Sequence, residues 1–277
     1  MVIPDEFRKC VAFLGYQVAD ESFRMAGTAF WIVRDLGEGK FATYMITARH
    51  VIDGIRSLGL TEVAIRMNKK SGDAEWLKTK IDDWFSHPTD KSIDVAIHSG
   101  GNPSQDHDHR ILPLTICATA EKLLQNEVGL GDEVFITGLF RHHYGNKRNI
   151  PIIRIGNIAC LDEGKISTSK YGDIDAYLIE CRSIGGLSGS PVFINLGAIR
   201  YIGGQIQHAQ GGPMLLLIGL VHGHFDSKTS SVDESRDDKN DLLTPERVNT
   251  GIAIVVPVQR IQETIALFDK SSKLASS

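Results

Sequence analysis

The chain has 277 residues, of which 42% are hydrophobic and 23% are charged, so it can bury a substantial core as one large domain or two small ones. Its 30 Lys and Arg residues against 34 Asp and Glu give a formal net charge of −4, which offers no basic field to nucleic acid or to an anionic membrane. No stretch approaches the roughly 20 apolar residues of a membrane span, and the acidic N-terminal segment does not look like a secretory signal.

Short strand-like runs follow one another through the first half of the sequence. Residues 1–9 predict a helical turn, and the β-rich runs at 11–16, 27–33 and 41–47 predict strands, the last two joined as a hairpin by the glycines at 37 and 39. Further short runs at 61–68, 76–85 and 93–98 follow without an amphipathic helix of about ten residues between them. The pattern favours an antiparallel barrel over a parallel sheet with crossover helices.

The second half repeats this pattern after a polar break at residues 100–109, which predicts a linker. Two domains are therefore predicted, over residues 1–105 and 106–277. After Pro257, apolar residues recur at helical spacing, which predicts one C-terminal helix. The predicted fold class is all-β, with two antiparallel β-barrels of the six-stranded type followed by that helix.

Four cysteines are scattered singly, without a C-x-x-C pair: Cys10, Cys117, Cys160 and Cys181. In a chain without an evident secretory signal this spacing favours buried, reduced thiols over a disulfide framework. We therefore expect a cytoplasmic protein without structural disulfides.

Three polar residues stand in settings that suit nucleophilic catalysis. Ser188 lies in G-L-S-G-S-P-V, a glycine-rich turn before a strand, where a hydroxyl can project beside bare backbone N–H groups. A serine is a poor nucleophile without a base, and His50 in T-A-R-H-V and Asp94 in I-D-V-A-I supply a base and a carboxylate to orient it. Each residue alone has a plain structural explanation, as a turn serine, a core histidine or a solvated acid at a strand end. The three together, in the order His, Asp, Ser, indicate catalysis.

These segments resemble the trypsin-like serine peptidases of the chymotrypsin fold, whose motifs are T-A-x-H, D-(I/L)-A-(L/I/V) and G-x-S-G-(G/S)-P. The likeness runs in order through residues 11 to 268. It implies a serine endopeptidase that cleaves peptide bonds through an acyl-enzyme, without metal or organic cofactor, and with protein or peptide substrates. It also implies that the backbone N–H groups of Gly186 and Ser188 form the oxyanion hole. The expected lack of disulfides points to the bacterial or intracellular branch of the family.

One departure from the digestive members of the family concerns activation. Leu187 stands before the nucleophile where those members have an aspartate, so a newly cut N-terminal ammonium has no carboxylate to pair with. The site is expected either to form in the native chain or to be assembled by a loop movement or a regulatory protein partner. The alternative function is a catalytically silent scaffold that keeps the fold and binds peptides or proteins.

Two residues are candidates for substrate binding. Arg182 lies six residues before Ser188, and His222 lies on the strand that lines the substrate pocket in the family. Together they would favour an acidic or amide side chain in the substrate. An exposed arginine and a histidine facing away from the pocket are equally compatible with the sequence, because a register shift of one residue turns a strand face over.

The histidines at 107, 109, 142 and 143 lie in polar loops without a cysteine partner, so no metal site is expected.

Residues 226–250 are too polar to pack and predict a surface loop. We hypothesise that this loop is a mobile flap at the rim of the substrate pocket, and an insertion without function is the open alternative.

Overall fold

Strands account for most of the regular structure in the computed structural model, which describes residues 2–18, 22–100, 103–161, 164–168, 172–181, 185–208, 214–228 and 247–275. Strands take up 49% of the described residues and helices 17%, so the all-β class is confirmed. A closed barrel, a half-barrel sheet and a C-terminal helix together make the expected double-barrel arrangement. No helix among the described residues is long and apolar enough to cross a membrane.

The first half is one sheet that follows a short helix, α1 (Asp5–Arg8). Its strands are β1 (Val11–Gln17), β2 (Phe23–Gly37), β3 (Lys40–Thr47), β4 (Glu62–Asn68), β5 (Ala74–Lys80), β6 (Trp84–Ser86), β7 (Ala96–Ser99) and β8 (Leu112–Pro113). They lie in the order β5-β4-β1-β2-β3-β7-β6 with antiparallel neighbours, while β8 pairs in parallel with β2. Helix α2 (Arg49–Arg56) connects β3 to β4.

The predicted hairpin is the pair β2 and β3. Phe30 pairs with Ile46 and Trp31 with Met45, and all four side chains are buried. The turn takes the left-handed backbone region at three successive residues, with φ of 80° at Gly37, 53° at Glu38 and 72° at Gly39. Glycine adopts this region without a steric penalty, which is why the chain can reverse here within three residues.

The second half forms a closed barrel with two small hairpins attached. Its helices and strands are α3 (Ala120–Gln125), β9 (Glu133–Gly138), β10 (Ile152–Cys160), β11 (Ile166–Thr168), β12 (Gly172–Ile174), β13 (Tyr177–Glu180), β14 (Pro191–Asn195), β15 (Ile199–Ile202), β16 (Gln205–His208), β17 (Leu215–Lys228), β18 (Arg247–Pro257) and α4 (Val258–Ala275). The barrel closes in the order β10-β13-β18-β17-β14-β9, while β11 pairs with β12 and β15 with β16. Helix α4 begins directly after Pro257, where the sequence predicts it.

One stretch predicted to lack regular structure contains strand residues at both ends, and one strand lies beyond the predicted domain boundary. The loop predicted over 226–250 begins and ends as strand, because β17 and β18 continue past the barrel and Asp226 pairs with Asn249. The remainder of that stretch, residues 229–246, lies outside the described residues, as does most of the proposed flap. Strand β8, at residues 112–113, completes the first sheet although it follows the predicted boundary at 105. Where the chain divides into domains stays a prediction.

The N-terminal helix α1 packs on the second barrel, and the C-terminal helix α4 packs on the first sheet. Phe7 of α1 lies with its ring edge-on to Phe135 and Phe193 of the second barrel, at centroid distances of 5.6 and 4.8 Å. From α4, Asp269 accepts a hydrogen bond from the Tyr44 hydroxyl at 2.7 Å and pairs with the Arg34 guanidinium at 2.6 Å. One hydrophobic cluster consequently contains core residues of both halves.

Candidate active site

His50 is held at the start of α2 by the sequence that surrounds it. Strand β3 ends at Thr47, Ala48 is extended, with φ of −72° and ψ of 134°, and the helix begins at Arg49. The apolar face of the helix, formed by Val51, Ile52 and Ile55, is buried and fixes the helix against the sheet. The histidine therefore sits on a short helix at the exit of the predicted hairpin, in a position that packing defines.

Asp94 lies just before β7 and is bonded to His50 through both of its carboxylate oxygens. Its Oδ2 is 2.7 Å from His50 Nδ1, and its Oδ1 accepts the backbone N–H of His50 at 2.8 Å. The side chain is only 2% exposed. Burial alone would raise the pKa of Asp94, but the charge of His50 and the hydrogen bonds from His222 and His50 lower it well below its usual range. The carboxylate is therefore ionised and acts as an acceptor only.

Ser188 lies in a turn that is bonded to both halves of the molecule. Its carbonyl accepts the N–H of Thr28 from the first sheet at 2.9 Å, and the N–H of Gly189 donates to Val221 of the barrel at 2.8 Å. Gly189 has a φ of 83°, and a Cβ there would lie 2.3 Å from both the Thr28 carbonyl oxygen and Thr47 Oγ1. Only glycine therefore lets the turn approach the first sheet this closely. The Ser188 hydroxyl donates a long hydrogen bond of 3.4 Å to the carbonyl of His222.

Gly186 adopts a backbone conformation that a side chain would disfavour, with a φ of 107°. Its carbonyl accepts the hydroxyl of Thr28 at 3.0 Å, and the same hydroxyl accepts the N–H of Leu139 at 3.0 Å. A Cβ at Gly186 would lie 2.9 Å from Leu139 Cγ. Gly186, whose N–H is expected to form part of the oxyanion hole, is thus held through its carbonyl by a threonine of the first sheet, a support that nothing in the sequence pattern indicated.

The ring of His222, a residue predicted to bind substrate, points towards Asp94. The side chain of His222 is buried, at 6% exposure, and its Nδ1 lies 2.5 Å from Asp94 Oδ2, the oxygen that also meets His50. The rings of His50 and His222 are edge-on with centroids 5.4 Å apart. A histidine on a strand can project from either face of the sheet, depending on register, and the ring of His222 projects towards Asp94. Arg182, the other candidate for substrate binding, lies outside the described residues.

Among solved structures, the crystal structure of Deg5, a HtrA-type trypsin-like serine protease, is similar to this chain at a TM-score of 0.50 and 14% identity, covering 94% of this chain and 88% of that chain. This is the fold of the trypsin-like serine peptidases. An inactive form of Rv3671c from M. tuberculosis H37Rv is also similar, with a TM-score of 0.45 and 14% identity over 94% of this chain and 87% of that one. No family model matches the sequence, and no curated protein matches it either.

In this trypsin-like fold, Ser188 and His50 line one cavity of about 250 Å³. Met25, Val51 and Leu58 give it an apolar wall, and Arg141 stands at its edge with a guanidinium N–H donating to the Ala26 carbonyl at 2.8 Å. A larger cavity of about 760 Å³ lies between α3 and the start of α4, and none of the three predicted catalytic residues lines it. The smaller cavity is therefore the one relevant to chemistry at Ser188.

His50, Asp94 and His222 also form a group whose ligand atoms lie within 4.8 Å of one another, close enough to be considered for a metal ion. The N···O distances of 2.7 and 2.5 Å are those of charge-assisted hydrogen bonds. Ligands of a tetrahedral zinc ion, each about 2 Å from the metal, would stand roughly 3.3 Å apart. Because the shared oxygen is too close to both nitrogens for an ion to lie between them, we interpret the group as a hydrogen-bonded cluster.

Proposed function

We propose that this chain is a serine endopeptidase in which Ser188 is the nucleophile, His50 the general base and Asp94 the residue that orients the base. The observation that supports this most strongly is the pairing of His50 with the buried Asp94, through the ring at 2.7 Å and the backbone at 2.8 Å, beside the cavity that Ser188 lines. Such a double attachment fixes both the position and the tautomer of the imidazole.

The proposed reaction follows from that tautomer. Because the ionised Asp94 can only accept, the proton of the neutral His50 ring is on Nδ1, and the lone pair is on Nε2. Nε2 takes the hydroxyl proton as Ser188 Oγ attacks the substrate carbonyl, and the oxyanion of the tetrahedral intermediate is met by the backbone N–H groups of Gly186 and Ser188. The intermediate collapses when His50 returns the proton to the leaving amine. A water molecule then attacks the acyl-enzyme while His50 takes its proton, and the second tetrahedral intermediate collapses to release the carboxylic acid as the proton returns to Ser188. These steps use no metal or organic cofactor.

Leu187 determines how the proposed site would be formed. Its side chain is fully buried in the second barrel, and its carbonyl accepts the N–H of Ser190 at 2.8 Å. An apolar residue packed in this way cannot bind an N-terminal ammonium, so activation by a salt bridge at this position is unavailable to the proposed enzyme. Protein or peptide substrates, a regulatory protein partner and a cytoplasmic location remain part of the proposal.

A fluorophosphonate probe tests the proposal, because it reacts covalently only with a serine that a base activates. We expect the wild-type protein to be labelled and to hydrolyse a peptide library, and we expect Ser188→Ala to lose both properties. Ser190→Ala is a matched control, because Ser190 is a buried serine two residues away that lacks a histidine partner in the proposed mechanism. Labelling of Ser188→Ala at the wild-type level would refute the assignment. A wild type that is not labelled would favour the scaffold function.

A further inference from the structure

The side chain and the backbone of His222 contact two different members of the proposed triad. Its ring nitrogen Nδ1 meets Asp94 Oδ2 at 2.5 Å, and its carbonyl accepts the Ser188 hydroxyl at 3.4 Å. Asp94 and His50 belong to the first half of the chain, whereas Ser188 and His222 belong to the second. The ring of His222 therefore links the second barrel to Asp94, in the first half of the chain.

The protonation of the two rings follows from the state of Asp94. A carboxylate whose pKa is held low is ionised at neutral pH and has no proton to donate. A contact of 2.5 or 2.7 Å between it and a ring nitrogen therefore requires a proton on that nitrogen, and both imidazoles must carry their protons on Nδ1. Asp94 Oδ2 consequently accepts two imidazole N–H groups, while Oδ1 accepts the backbone N–H of His50.

We propose that His222 is a positioning residue that fixes the Asp94 carboxylate by donating its Nδ1–H to Oδ2, and so holds His50 in the orientation that catalysis needs. A buried carboxylate must have its lone pairs met by donors to remain charged, and three donors reach this one. Without His222, Oδ2 would keep a single ring donor, and the carboxylate could turn about its χ2 angle away from His50. This inference rests on the proposed function, because it assigns His222 a role in the same reaction.

The choice of variants separates the hydrogen bond from the bulk of the ring. His222→Asn places an amide N–H close to the position of Nδ1, so it keeps the donor, whereas His222→Leu fills a similar volume without one. We expect His222→Leu to lower kcat by about 10- to 100-fold with KM changed less than about 3-fold, a smaller loss than removal of the aspartate itself would cause. We expect His222→Asn to restore kcat to within about 3-fold of wild type.

His107→Asn is the matched control. His107 is also a buried histidine bonded to a carboxylate, at 7% exposure and 2.7 Å from Glu75 Oε1, but it packs beside the first sheet, on contacts that do not include the triad. We expect this variant to lose stability and to keep the wild-type kcat and KM. Equal losses of kcat in His222→Asn and His222→Leu, or an undiminished kcat in His222→Leu, would overturn the proposal.

A spectroscopic measurement makes the inference independent of activity. Proton NMR of the Ser188→Ala protein should show two low-field imidazole N–H resonances, one from each ring bonded to Asp94, and His222→Asn in the same background should remove one of them. A single low-field resonance that survives in His222→Asn would refute the shared carboxylate even if the enzyme is active. If the probe fails to label wild type while both resonances are present, the proposed function fails and the histidine pair on Asp94 stands.

Discussion

Gly186 and Gly185 are adjacent, and the structure assigns them very different tolerances. Gly186 has a φ of 107° and a virtual Cβ at 2.9 Å from Leu139 Cγ, whereas the nearest atom among the described residues to a Cβ at Gly185 would be Arg141 Cδ, at 3.8 Å. The first position is both strained and crowded for any side chain, and the second is neither. Of the two residues, Gly186, whose N–H is expected to meet the oxyanion, is therefore the one at which the backbone requires glycine.

A substitution at each glycine tests this difference. We expect Gly186→Ala to lower kcat by about 100-fold with little change in KM, because a shift of the 186 peptide removes one oxyanion donor, a loss of about 2.7–4 kcal/mol in the transition state. Gly185→Ala should stay within about 3-fold of wild type. Steady-state kinetics on a fluorogenic peptide makes the comparison, and a Gly186→Ala enzyme with wild-type kcat would show that this peptide is not part of the oxyanion hole.

At this scale the sequence predicts the identity of the polar residues better than their contacts. The segments around His50, Asp94 and Ser188 each carry recognisable local signals, and the structure puts the first two in direct contact and the third beside the same cavity. The partner of His222 could not be predicted, because the face of a strand residue depends on register, and β17 contains two register shifts, between Val221 and Gly223 and between His224 and Asp226.

Among the helices, α4 was predictable and α2 was not. Helix α4 runs for 18 residues with apolar positions at helical spacing, whereas α2 has only eight residues, too few for its periodicity to stand out from that of the neighbouring strands. Helix α3 is shorter still, although Thr119 caps it by accepting the N–H of Lys122 at 3.3 Å. Such a cap is a local signal that could have indicated the helix.

The attachment of α4 to the first sheet depends on a few polar contacts in addition to its apolar face. The Tyr44 hydroxyl is a dependable donor to Asp269, since burial and the neighbouring carboxylate raise the pKa of Tyr44. We expect Tyr44→Phe to lower the free energy of unfolding by about 1–2 kcal/mol, because the aromatic packing remains and the charge-assisted hydrogen bond is lost. Chemical denaturation measures the change. Tyr201→Phe, at a tyrosine that is 65% exposed, should change the stability by less than about 0.5 kcal/mol.

A double-mutant cycle with Asp269→Asn isolates this contact from other effects of the substitutions. If the hydrogen bond and the ion pair to Arg34 hold the helix in place, the Tyr44 and Asp269 substitutions should be non-additive by about 1 kcal/mol. Fully additive effects would mean that the hydrogen bond between Tyr44 and Asp269 does not help to hold α4.

The two halves of the molecule share one hydrophobic cluster, so we expect them to unfold together. The three tryptophans, Trp31, Trp76 and Trp84, all lie in the first half, whereas far-ultraviolet circular dichroism reports on strands of both halves. In a denaturant titration, the fluorescence and circular dichroism midpoints should coincide. Two separated transitions would contradict a shared core.

Phe7 offers a way to perturb that coupling, because it belongs to the first segment of the chain and packs on the second barrel. We expect Phe7→Ala to lower the free energy of unfolding by about 2–4 kcal/mol and to move both midpoints equally. Phe41→Ala, at a phenylalanine that is 62% exposed on β3, is the control and should move neither by more than a small amount. A shift in the circular dichroism midpoint alone would show that the halves are energetically separate.

The packing of each terminal helix on the opposite half also has a consequence for a cleaved chain. The N-terminal helix α1 packs on the second barrel, and the C-terminal helix α4 packs on the first sheet. Cleavage of the polar connection between β7 and β8 would therefore break the backbone without removing the contacts of either helix. The two fragments would stay joined as a non-covalent heterodimer, with His50 and Asp94 on one piece and Ser188 on the other.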